Sequence, residues 1–142
     1  MRIFLDANVL FSAAKSDGAV RLLINLLLDR GHEIWIDAYV LEEARRNLAA
    51  KAAAGLPALD ALSVRLQVVA LSVPDSALSK DIPLPDKDRP VLLAAVRLGC
   101  AALITGDRTH FDPWYGKRLA GVRVYSPRDA AEKILSATGR SS

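Results

Sequence analysis

The sequence predicts an α/β fold: a central, mainly parallel sheet of four to five strands flanked by helices. Three observations carry this. Short apolar runs of strand length alternate with longer segments of helical period. No internal repeat, low-complexity tract or long linker interrupts the alternation. The length of 142 residues with 51% hydrophobic residues fits one domain over residues 1–142 with a sizeable core.

The elements follow in order. Arg2 to Leu5 is a short apolar strand. Ala7 to Lys15 and Ala19 to Arg30 read as helices, the second stopped by Gly31. Glu33 to Asp37 is a second strand, and Ala38 to Lys51 is helical. Leu56 to Val69 reads as a helix with Pro57 near its start, followed by a candidate short strand over Ala70 to Val73. Pro74 to Lys87 carries three prolines and reads as a loop. Pro90 to Leu98 is a helix ending at Gly99. Ala101 to Thr105 is a buried strand and Gly121 to Tyr125 another. Ser126-Pro127 opens a last helix, with serine as cap and proline at the first position.

Composition excludes several classes. With 25% charged residues beside the apolar half, the chain is not disordered. A lone cysteine, Cys100, rules out an internal disulfide framework and a cysteine zinc site, and reads as a buried, inert thiol. No stretch without a charge is long enough to span a bilayer. Asp6 interrupts the apolar start too early for a signal peptide, so the expected compartment is the cytoplasm. A net charge of +3 is compatible with a polyanionic partner without requiring one. No P-loop, Gly-x-Gly-x-x-Gly or Gly-x-Ser-x-Gly is present. His32 and His110 do not pair as zinc ligands; Trp35 reads as core, and Trp114-Tyr115 as a base-stacking pair or, preferred, as cover for the sheet edge.

In open parallel sheets a site forms beyond the carboxyl ends of the strands. Asp6 follows the first strand and Asp107 the Ala101 strand, so both stand at that rim. Glu43 lies early in the helix after the second strand, and Asp88 opens the helix that runs back before the Ala101 strand. Topology therefore gathers four acids from four segments. Glu43 is preferred over Glu42 because Val40, Ala44 and Leu48 form the core stripe. At roughly 100° per residue Glu43 borders that stripe, while Glu42 points away. Asp88 is preferred over Asp86, which sits in the loop.

Two carboxylates about 4 Å apart repel by about 4 kcal/mol at an effective dielectric of 20. Four together take up protons or bind a cation. Oxygen ligands without cysteine or paired histidine suit Mg²⁺ or Mn²⁺, which points to metal-dependent phosphodiester hydrolysis. Each acid also has an ordinary role open to it. Asp6 and Asp88 suit helix caps, Glu43 a solvated helix face, and Asp107 a turn. Asn8 is a second capping residue or an orienter of Asp6, and Thr105 a strand end or a support for Asp107. Arg45, Arg46, Arg89, Arg108, Lys117 and Arg118 stand near the acids in sequence, as phosphate contacts or as ordinary solvated charges.

Four blocks carry a resemblance: Phe4-Leu5-Asp6-Ala7-Asn8-Val9-Leu10, Val40 to Leu48, Lys87 to Ala95, and Leu103 to Phe111. In order and spacing they resemble PIN domains, over Met1 to about Asp129. Single domains of this size occur in the toxin branch, the VapC-like ribonucleases. The resemblance implies a three-layer fold and an Mg²⁺- or Mn²⁺-dependent ribonuclease. The family's four acids fall on Asp6, Glu43, Asp88 and Asp107, which implies that these hold the metal and carry catalysis. Thr105 matches the residue that supports the fourth acid, and Asn8 a polar neighbour of the first. It also implies a cognate antitoxin protein, a homodimer and an RNA substrate. Asp86 leaves the third acid open to a slip of two positions, and Asp112 is an outer acid at most. Two other readings remain: a PIN nuclease of RNA maturation or decay without an antitoxin, and a PIN-like module that binds RNA or protein without cutting.

Overall fold

The computed structural model describes residues 1–70, 89–106, 111 and 114–136. Among the described residues six strands form one sheet in the order β3-β2-β1-β4-β6-β5. They are β1 (Arg2–Leu5), β2 (Glu33–Asp37), β3 (Gln67–Val69), β4 (Ala102–Ile104), β5 (Arg118–Leu119) and β6 (Val122–Tyr125). All neighbours pair in parallel except β5, which pairs antiparallel with β6. The sheet has one strand more than the sequence predicts, because β5 is only two residues long and carries no pattern of its own.

The helices flank this sheet: α1 (Ala7–Lys15), α2 (Ala19–Asp29), α3 (Ala38–Lys51), α4 (Leu56–Val64), α5 (Arg89–Arg97) and the short α6 (Pro127–Ala130). A π-helical turn over Ala131–Leu135 continues α6. Helices α2, α3 and α4 pack around α1, while α5 lies on β4 and β6. Central strands buried on both faces are apolar throughout, as in Ile3, Phe4, Leu5 and all of β4. Among the described residues no helix is long and apolar enough to cross a membrane.

One expected helix is cut short. The segment Leu56 to Val69 stays helical only to Val64, and Gln67–Val69 joins the sheet beside β2. Of the strand expected at Ala70 to Val73, only Ala70 is described, outside β3; residues 71–73 lie outside the described residues. Val68 and Val69 are β-branched, and pairing with Ile36 and Asp37 decides their state. Trp35 is half-buried rather than core. The Arg2 guanidinium stands 4.7 Å from its ring centroid, and its buried indole N–H has no hydrogen-bond partner among the described residues. Cys100 is buried as expected, and burial pushes its thiol up to about 11, out of the reactive range.

Strands β5 and β6 meet through Ala120 and Gly121, with φ of 52° and 84°. Two positive φ values in a two-residue hairpin make a type I′ turn. Glycine takes this conformation without cost, whereas alanine brings its Cβ against the carbonyl. Ala120→Gly is therefore expected to stabilise the protein by about 1 kcal/mol, raising Tm by about 2–4 °C in thermal unfolding. An unchanged or lower Tm would show that the turn carries no strain.

Candidate active site

The sheet order reverses direction between β1 and β4. From β1 the chain steps outward to β2 and β3, then returns to place β4 on the other side of β1. In such sheets the crevice at the switch point, beyond the carboxyl ends of the strands, is where a ligand can enter. Asp6 and Thr105 stand there, one residue past β1 and β4 respectively.

Asp6 is in extended backbone and caps α1, as its ordinary role predicts: its Oδ1 accepts the Ala7 N–H at 2.7 Å. Its Oδ2 accepts the Thr105 hydroxyl at 2.8 Å, a contact between residues 99 apart in the chain. The Asp6 backbone N–H donates to the Ile104 carbonyl at 3.0 Å, locking the two strand ends together. Both Asp6 and Thr105 are buried. Asn8 is the second residue of α1. Its amide is 3.5 Å from both the Asp6 carboxylate and the Thr105 hydroxyl, a weak reach. Its stronger bond is elsewhere: Asn8 Oδ1 accepts the Gly106 N–H at 2.8 Å, tying the chain after β4 to α1. Tyr115 completes the frame by donating its hydroxyl to the Thr105 carbonyl at 3.0 Å.

Glu43 is the sixth residue of α3. Val40, Ala44 and Leu48 are buried, Glu42 is exposed, and Glu43 is half-buried between them, as the helical angle predicts. Among the described residues nothing hydrogen-bonds or ion-pairs with its carboxylate. Helix α3 packs against α1, the helix that Asp6 caps. A half-buried carboxylate without a partner, on a helix beside a second buried carboxylate, has the hard oxygen chemistry that suits Mg²⁺ or Mn²⁺.

The structure thus joins Asp6, Asn8 and Thr105 directly and brings Glu43's helix against Asp6's. Asp88 and Asp107, with Asp86, Asp112 and His110, lie outside the described residues. Among the described residues no three acids or histidines form a metal cluster. The Thr105 hydroxyl supports the first acid, Asp6, which the sequence reading had not assigned to it.

One acid at this rim was missed. Asp37 ends β2, is buried, and caps α3 by accepting the Val40 N–H at 2.9 Å through Oδ1. Register pairs Phe4 with Trp35, and two residues further on it sets Asp6 beside Asp37. Burial raises the Asp37 carboxyl above the ordinary carboxylate value, partly opposed by the hydrogen bond from Val40. The available signal was an aspartate between a strand and a helix, which is a cap position.

Comparison with known proteins gives a consistent result. The chain resembles the crystal structure of VapBC2 from Rickettsia felis bound to a DNA fragment from their promoter. The TM-score is 0.67 at 16% identity, over 89% of this chain and 98% of that one. It also resembles the crystal structure of DNA-bound VapBC from Salmonella typhimurium, with a TM-score of 0.65 at 18% identity and the same coverage. Both likenesses are of fold. No curated protein matches the chain in sequence. The PIN domain family pattern matches residues 2–109, which hold Asp6, Glu43 and Thr105 along with the whole switch point. The chain belongs to the PIN domain family.

Proposed function

We propose that this protein is an endoribonuclease dependent on Mg²⁺ or Mn²⁺, and the toxin of a type II toxin–antitoxin pair. The observation that carries the reading is the buried Asp6 carboxylate at the topological switch point, held by the Thr105 hydroxyl at 2.8 Å. The residues that would hold the metal are Asp6, Glu43, Asp88 and Asp107. A divalent ion bound there supplies activation of water and neutralisation of charge on a phosphate.

The chain's own groups do the rest. The Ala7 N–H and the Thr105 hydroxyl fix the Asp6 carboxylate, so little ordering is left to occur on binding. Asn8 holds Gly106, the residue before Asp107, to α1. Asp37 caps the helix that presents Glu43.

The toxin assignment is supported by the structural neighbours, both of which are described as VapBC. It brings with it a cognate antitoxin and a homodimer. Helices α2 and α4 suit a subunit contact. Leu22 and Val64 are exposed large apolar side chains on them, and a cavity of about 270 Å³ lies beside the two helices, lined by Ala58, Ala61 and Leu62 and by the polar Arg21, Asn25 and Arg65.

The test is cleavage of a single-stranded RNA by Glu43→Gln and Glu42→Gln. With Mn²⁺ or Mg²⁺, Glu42→Gln is expected to cut at the wild-type rate and Glu43→Gln at least about tenfold more slowly, a loss near 1.4 kcal/mol. Excess EDTA should abolish cutting by all three. Undiminished cleavage in EDTA, or equal loss in the two variants, would overturn the reading.

A further inference from the structure

The β5–β6 hairpin carries an arrangement that the rim chemistry does not use. Register sets Arg118 directly opposite Arg123. The neighbouring pair is hydrogen-bonded, with the Val124 N–H donating to the Lys117 carbonyl at 3.0 Å. By alternation Arg118 and Arg123 are the non-hydrogen-bonded pair, in which opposing side chains stand closest. Like charges so placed destabilise a hairpin. Among the described residues neither arginine has a carboxylate partner, and Arg123 directs one N–H to the Gly116 carbonyl at 2.8 Å. The turn that imposes this pairing holds Ala120 at a φ of 52°.

A second observation concerns the space beside the hairpin. Both arginines line a cavity of about 240 Å³, together with Met1, Gly121 and Tyr125, and among the described residues no acid lines it. The cavity extends from the amino ends of β1 and β4, at Met1 and Ala101, up to Tyr125. Tyr125 is at the rim: its carbonyl accepts the Thr105 N–H at 2.9 Å. Arg123 pairs with Ala102, three residues below Thr105, or about 10 Å down the strand.

We propose that this cavity is a phosphate subsite for the RNA strand that the rim cuts, a proposal that rests on the ribonuclease reading. A phosphate between Arg118 and Arg123 converts their repulsion into two attractions, and guanidinium forks match phosphate oxygens in geometry. Tyr125, half-buried, offers a ring face to a base between the arginines and the rim. Alternation along β6 places Arg123 and Tyr125 on one face, and Thr105 with Asp6 on the other. RNA reaching both therefore passes over the carboxyl end of β6.

The experiment is binding of a labelled single-stranded RNA in EDTA, followed by fluorescence anisotropy over a range of KCl concentrations. Wild type is compared with Arg118→Gln/Arg123→Gln and with Arg97→Gln, which removes an exposed cation from α5. Loss of two phosphate contacts is expected to raise Kd at least about tenfold at low salt and to lower the slope of log Kd against log salt by about 1.4. Arg97→Gln should bind like wild type. The double variant should also melt no lower than wild type, because the opposed charges are gone. An unchanged slope, an equal effect of Arg97→Gln, or displacement of the RNA by an equal concentration of inorganic phosphate would overturn the proposal. Cleavage plays no part in this readout. A protein that binds through the arginines but never cuts overturns the ribonuclease reading alone, and one that cuts with an unaltered slope overturns the subsite alone.

Discussion

Asp6→Asn is expected to lower RNA cleavage by at least about 100-fold, equivalent to about 2.7 kcal/mol of transition-state stabilisation, while the protein stays folded. Asparagine is close in shape to aspartate. Its carbonyl oxygen can still accept the Ala7 N–H, so the cap on α1 survives. The Thr105 hydroxyl, which donates to Asp6, can turn to accept from the new amide. What is lost is the negative charge. A neutral oxygen in the same place holds a divalent cation poorly, and the switch point loses the carboxylate that the Ala7 and Thr105 donors position. The check is cleavage with Mn²⁺ alongside calorimetric titration of Mn²⁺ and a thermal melt. Weakened metal binding at an unchanged Tm places the effect on the site. Wild-type cleavage by Asp6→Asn would remove Asp6 from the chemistry.

Gly55→Ala is expected to destabilise the fold by about 1–3 kcal/mol, lowering Tm by several degrees. Gly55 ends the 3₁₀ turn Ala53–Gly55 between α3 and α4, with φ −84° and ψ −8°, a conformation open to alanine. On backbone entropy alone the substitution would stabilise by up to about 1 kcal/mol. Packing reverses the sign. A Cβ at this position would come 2.8 Å from the Ala14 carbonyl oxygen and 3.0 Å from Leu48 Cδ2. The Ala14 carbonyl is pinned, because it accepts an Arg21 guanidinium N–H at 3.1 Å. Leu48 is fully buried and has little room to retreat. Alanine at 55 must therefore push α1 away from α3, the two helices that carry the Asp6 cap and Glu43. Equal or raised stability would mean that this three-helix junction has slack.

The strength of the two expectations differs because of where their causes lie. The Asp6 expectation rests on charge, because an isosteric asparagine keeps the cap and removes only the negative charge. Gly55 acts through contact in a closed junction, where even one methyl group has no place to go.

Much of the architecture was legible before any coordinates. Helices over Ala7–Lys15 and Ala38–Lys51 follow from apolar period alone and occur with those bounds. The choice of Glu43 over Glu42 needs only the helical angle against the Val40, Ala44 and Leu48 stripe, because rotation about a helix axis is a local property. The placement of Asp6 at the carboxyl rim needs only its position directly after the first strand of a parallel sheet. Other features are not local. Val68 and Val69 suit a helix stripe or a strand equally, and only hydrogen bonding to β2 makes them β3. The two-residue β5 exists because β6 is there to pair with it. The Thr105 hydroxyl reaches Asp6 across 99 residues, a bond that spacing in the chain cannot encode. The opposition of Arg118 and Arg123 follows from the register that the Ala120-Gly121 turn sets. Periodicity and capping are written within a few neighbouring residues, so the sequence by itself determined most of the elements and the place of Asp6 at the rim. Pairing partners, register and hydrogen bonds between distant residues depend on which surfaces meet when the chain closes on itself, and those only the tertiary structure decided.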